Sequence, residues 1–186
     1  MEYGILFFLG LLIAWPRRSS ALGPELAWVG PVLPELRADA AHWGIPVGFA
    51  IGWIEVESGG DPQAISSIGE RGYFQVGAAE AQDAQIPGFD AITNTVSNSL
   101  EAGFRLASYY AQQVKSWGFP AVGTDYYWRM VKMCHAVGSG SAHSLLLQAG
   151  WHALTWSGLE SWARQQGRDD QHFANTDRVM AIASQF

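Results

Sequence analysis

The segment 46–57, PVGFAIGWIEVE, carries two carboxylates two residues apart at the end of an otherwise uncharged run. Stepped at 100° per residue, Val47, Ala50, Ile51 and Ile54 form one apolar arc, widened by Phe49 and Trp53, and Glu57 closes it one turn after Trp53. A carboxyl held against apolar surface loses water, so its ionised form is penalised and it keeps a proton toward neutrality, as a general acid must. Glu55 falls toward Gly48 and Gly52 at the edge of the arc, where solvent or a peptide neighbour keeps a carboxylate ionised. The chemistry therefore points to Glu57. Periodicity alone leaves a competing reading, a helix-end residue satisfied by local amides or by an arginine such as Arg71.

Other chemistries find no framework. The five histidines, His42, His135, His143, His152 and His172, form no HExxH or close pair, so no metal site is expected. GSGS at 138–141 lacks the GK[ST] of a phosphate loop and the GxSxG of a nucleophile elbow and reads as a loop; no cofactor motif is present. Cys134, the one cysteine, lies among apolar neighbours and reads as a buried, inert thiol.

The elements that position these residues are mostly helices. Gly, Pro and apolar residues at 23–34 read as a connector, and helices are expected over 35–43, 46–57, 95–117, 125–136, 141–154, 157–166 and 176–184. WGIP and WGFP, at 43–46 and 117–120, are matching stop signals, with Gly as the left-handed cap and Pro as the barrier. Ser157 and Glu160 make a capping box, and Asn175 precedes the last helix. Segment 61–76, rich in Gly and Ser, reads as irregular with short extended pieces and room for a hairpin.

With 186 residues, 48 % of them apolar and 15 % charged, the chain can bury a real core. A net charge of −6 and no basic run beyond Arg17 and Arg18 argue against nucleic acid as a partner. Residues 4–15, GILFFLGLLIAW, are uncharged and flanked by Tyr3 and Trp15; as a helix they span about 18 Å, less than the apolar core of a bilayer. Glu2 precedes the run and the arginines follow it, the reverse of a secretory signal, although Ser19 and Ala21 would suit cleavage. The reading is a hydrophobic helix anchoring residues 1–22 at a membrane, with a cleaved export signal as the alternative, followed by one domain over 23–186. The positive-inside tendency would put that domain on the internal face of a cell membrane, where no wall lies; a viral membrane or cleavage removes the conflict.

Glu57 opens the string ESGGDPQAISSIGERGYFQV, in which Glu57, Ser58, Pro62, Ala64, Ser66, Gly69, Gly72 and Gln75 fall at the spacings of the Slt-type lytic transglycosylase signature. The chain resembles that family, part of the lysozyme-like superfamily, over residues 47–138. The resemblance implies an α+β, predominantly α-helical, lysozyme-like domain with a small irregular β region, in which Glu57 is the single catalytic acid and base. It further implies that Ser66 and Gln75 line the glycan cleft. Tyr73 and Phe74 stand where the family has Leu and Met, so Tyr73 could wall the sugar site or pack in the core. Gly77 replaces a Met, and Ser99, four residues before Gly103, replaces an Asn. The family's downstream Ala-Tyr-Asn-Ala-Gly segment is here Cys134 to Gly138, which makes His135 the stand-in for the cleft tyrosine.

The implied reaction is cleavage of the MurNAc–GlcNAc bond of peptidoglycan without water. Glu57 protonates the glycosidic oxygen, the substrate's acetamido oxygen stabilises the oxocarbenium-like centre, and Glu57 then takes the C6 hydroxyl proton as an anhydro ring closes. Two rivals follow. If Asp61, Asp83 or Asp90 faces Glu57 as a second carboxylate, the enzyme is a hydrolytic muramidase; if the departures abolish turnover, it is a wall-binding subunit of an envelope machine or virion. Family members of this size open the wall locally for secretion, conjugation or phage entry.

Overall fold

The computed structural model describes residues 23–168 and 170–186, so the expected anchor over residues 4–15 lies outside the described residues. The described residues are mostly helical, with 69 % helix and 2 % strand. Eight α-helices are described: α1 (Val29–Trp43), α2 (Val47–Ser58), α3 (Ala78–Asp83), α4 (Val96–Ser116), α5 (Asp125–Val137), α6 (Ser139–Ala149), α7 (Trp156–Gln165) and α8 (Gln171–Ala183). None of them is long and apolar enough to cross a membrane.

Helix α2 is the axis of the fold. Every residue from Gly48 to Glu55 is buried, so the single apolar arc expected from the sequence is instead a helix covered on all sides. Its glycines explain how. A Cβ on Gly48 would lie 2.5 Å from the carbonyl oxygen of Ala183, and one on Gly52 2.3 Å from that of Val179, so α8 packs backbone to backbone against the face that seemed open. Trp53 packs edge-on against Phe74, which packs on Phe104 of α4. Gly103 admits Phe74, since a Cβ there would fall 1.8 Å from the ring.

Several boundaries differ from expectation for identifiable reasons. The connector 23–34 is a 3-10 turn (Pro24–Leu26) running into α1, because Pro31 falls in the first turn, where its missing N–H is no loss, and Pro34 forfeits one rung. α6 stops at Ala149 and a 3-10 segment (Gly150–Leu154) follows, because Gly150 adopts φ 56, ψ −124, which breaks the helix. α7 is capped by Thr155, whose hydroxyl accepts from the Gly158 N–H, and not by a Ser157–Glu160 box. α8 starts five residues before the expected Thr176, which is buried mid-helix and donates its hydroxyl to the His172 carbonyl. α3 was not anticipated at all.

The segment between α2 and α3 holds no hairpin. Its pairing is limited to the antiparallel bridges of Arg71 with Ile65 and with Val76. Positive φ at Gly69, Gly72 and Gln75 turns the backbone too often for a strand to extend.

Candidate active site

Glu57 lies in the last turn of α2, before Gly59 ends the helix in the left-handed conformation. Its side chain is 21 % exposed. The Lys132 ammonium of α5 is 2.7 Å from Glu57 Oε1, and His135, one turn further along α5, places Nε2 3.7 Å from the same oxygen. Lys132 is itself buried, at 2 % exposure, with Nζ 5.3 Å above the Trp53 ring.

This arrangement overturns the expected protonation state. Burial does push the Glu57 carboxyl upward, as the apolar arc implied, but His135 and Lys132 outweigh it and hold the group well below the ordinary 4.5, at about 2. Glu57 is a carboxylate in the free protein. The cation is Lys132 and not Arg71, which pairs with Asp90 at 3.1 Å and packs its guanidinium over Phe89. Of the two settings expected for Glu55, protein and not solvent holds: it is buried, accepts from the Trp28 indole N–H at 3.0 Å, and has the Arg178 side chain of α8 at 3.6 Å.

His135 sits between two carboxylates. Its Nδ1 is 2.9 Å from Glu80 Oε1 on α3, and its ring centroid is 5.1 Å from that of Trp53. Burial and Lys132 oppose a charged imidazole, but the carboxylates of Glu57 and Glu80 prevail and raise its proton affinity above the ordinary histidine value. Glu80 accepts from the Tyr110 hydroxyl at 2.7 Å through Oε1 and from the Gly77 N–H at 2.9 Å through Oε2. Burial works against its ionisation, yet His135 and these donors keep its carboxyl low. Tyr110, buried beside Glu80, has its phenol pushed up and stays protonated. Glu57, Lys132, His135 and Glu80 thus form one buried polar cluster in which both carboxyls are held low and the imidazole's proton affinity is raised. Glu80, Tyr110 and His135 line an open cleft of about 400 Å³ together with Glu70, Asp83, Ile68 and the backbone at Gly77 and Gly138.

The other residues singled out from the sequence hold the loop. Gln75, 5 % exposed with φ 51, donates from Nε2 to the carbonyls of Gly72 at 2.8 Å and Ala64 at 3.3 Å. The Ser66 hydroxyl accepts from the Glu70 N–H at 3.1 Å. Tyr73 is 2 % exposed with its ring 5.8 Å from Trp28; its N–H donates to the Ser99 hydroxyl, and its carbonyl accepts from the Ser58 hydroxyl. Glu57 and His135 are therefore brought together, while Ser66, Tyr73 and Gln75 fix the segment that follows the acid. Of the acids weighed as a second carboxylate, Asp61 accepts from the Gln63 N–H, Asp90 pairs with Arg71, and Asp83 lines the cleft.

Sequence reasoning missed Lys132, Glu80 and Tyr110. A signal existed for two of them. Lys132 interrupts the apolar run MVKMC, and Glu80 stands three residues after Gly77 at the start of a short helix, in capping-box register. Among the described residues no group of three or more His, Cys, Asp or Glu could hold a metal ion. Compared as a sequence, the chain matches no protein-family model and no curated protein.

Proposed function

We propose that the chain is a peptidoglycan lytic transglycosylase with Glu57 as its acid and base. The observation that carries this reading is the Glu57 carboxylate, fixed at a helix end by Lys132 and by His135, which itself lines a cleft, with the eight-residue signature forming the helix end and the loop after it. A lysozyme-like arrangement, with the acid ending a buried helix, belongs to the same proposal. In the free state Glu57 is ready for the base half of the reaction, removal of the muramyl C6 hydroxyl proton as the anhydro ring closes. The acid half needs a proton delivered to Glu57 before the glycosidic bond breaks. The run at residues 4–15 would keep the domain at a membrane, periplasmic or viral, from which it opens the wall locally.

Digestion of purified sacculi followed by mass spectrometry tests this. Anhydromuramyl ends that vanish in Glu57→Gln are the expected result. Reducing ends carrying an added water would make the enzyme a hydrolytic muramidase. A second reading, a wall-binding subunit without turnover, is favoured by the Lys132 pair, which keeps the acid ionised. Sacculi bound equally by the wild type and Glu57→Gln, with no fragments from either, would decide for it.

A further inference from the structure

We propose that His135, held by Glu80, is the positioning residue that delivers a proton to Glu57, so that a carboxylate paired with a buried lysine can still act as an acid. The inference rests on the glycan-cleaving reading and deepens it. Three geometric facts carry it. Nδ1 of His135 is hydrogen-bonded to Glu80 at 2.9 Å and Nε2 lies 3.7 Å from Glu57 Oε1, longer than a hydrogen bond in the free protein but one small side-chain shift from forming it, so one ring stands between the two carboxylates. Glu80 is itself fixed by the Tyr110 hydroxyl and the Gly77 N–H and cannot turn away without losing both. His135 lines the cleft and the neighbouring Glu57 side chain is 21 % exposed, so a ligand entering there meets the imidazole that faces the acid.

The proton balance closes without an added reactant. The imidazolium gives its Nε2 proton to Glu57 Oε1, and the imidazole left behind keeps its Nδ1 proton on Glu80. Glu57 passes the proton to the glycosidic oxygen as the C1–O bond breaks and the leaving sugar departs as an alcohol. The carboxylate then removes the C6 hydroxyl proton while that oxygen bonds to C1, and the acquired proton returns to Nε2. No net proton is consumed. The groups facing His135 are Glu57 of α2, Glu80 of α3 and, through Glu80, Tyr110 of α4; on its own helix Lys132 faces it from one turn away. Lys132 lies closer to Glu57 but does not line the cleft, whereas His135 does, which makes His135 the better placed donor.

The test pairs a titration with turnover, in the wild type and in Glu80→Gln, which keeps the side chain's shape and removes its charge. Ring nitrogen NMR shifts of His135 and the side-chain carboxyl shift of Glu57 are followed against pH, and sacculus digestion is measured over the same range. In Glu80→Gln, His135 should lose its proton about one pH unit lower, the scale of one charge-assisted hydrogen bond, and the alkaline limb of the kcat profile should move with it. His135→Gln should lower kcat about 100-fold with KM little changed. An unmoved His135 titration, or a kcat profile that ignores a moved one, overturns the relay. A wild type that releases no glycan fragments refutes the glycan reading and the delivery step with it, whereas digestion with an unshifted profile refutes the relay alone.

Discussion

Replacing Glu57 should destabilise this protein, although a catalytic carboxylate is often neutral or costly to stability. In Glu57→Gln the Lys132 ammonium, 2 % exposed, faces an uncharged amide where a carboxylate stood at 2.7 Å. The drop of the Glu57 carboxyl from 4.5 to about 2 corresponds to about 3 kcal/mol of stabilisation at neutral pH. Loss of one partner of a buried pair costs a similar amount, about 3–5 kcal/mol. With a urea m-value of about 2 kcal/mol/M, the unfolding midpoint at pH 7 should fall by about 1.5 M. The sign with pH follows from the lowered carboxyl: its contribution is whole above about 4.5 and disappears as pH falls toward 2. Wild type and variant should therefore converge on acidification. Adding Lys132→Met to Glu57→Gln should restore most of the lost stability, because the stranded charge goes with it. Tryptophan fluorescence through urea titrations at pH 7 and pH 3 reads all of this. A Glu57→Gln midpoint unchanged from that of the wild type at pH 7 would refute the reasoning.

Two further outcomes follow from the packing. Gly52→Ala puts a methyl 2.3 Å from the Val179 carbonyl oxygen, so α8 must move off α2; thermal unfolding should begin about 4–10 °C lower, and an unchanged Tm would contradict the close approach. Cys134 is fully buried and burial pushes its thiol up, so at pH 8 it should react with a water-soluble disulfide reagent about a thousandfold or more slowly than in urea; rapid native labelling would contradict its burial.

Much of the scaffold was legible because helix starts and stops use local chemistry. Gly44 turns left-handed before Pro46 and Gly118 before Pro120, as the WGIP and WGFP stop signals indicated, and Thr95 and Thr124, not singled out from the sequence, accept from the N–H groups of Asn98 and Tyr127. Helix α2 was read as one-sided because its glycines look like an open face, and only the partner helix from the far end of the chain shows that they are a seat for backbone. The position of Glu57 followed from the arc and the signature, but its charge state did not. Desolvation can be read from a helix's own residues; the opposing cation comes from a helix about 75 residues later in the sequence and joins through tertiary packing alone. Glu80 offered only its capping-box register with Gly77, since α3 is six residues long and too short to show a period.

The backbone seat at Gly48 and Gly52 also has a consequence for biosynthesis. As the chain leaves the ribosome, the helix carrying Glu57 emerges early and must wait, with one flank bare, until the residues around Val179 and Ala183 have been translated. That flank of α2 is thus covered only once α8 has been translated, and until then a nascent chain keeps an unpacked helix face prone to capture by chaperones.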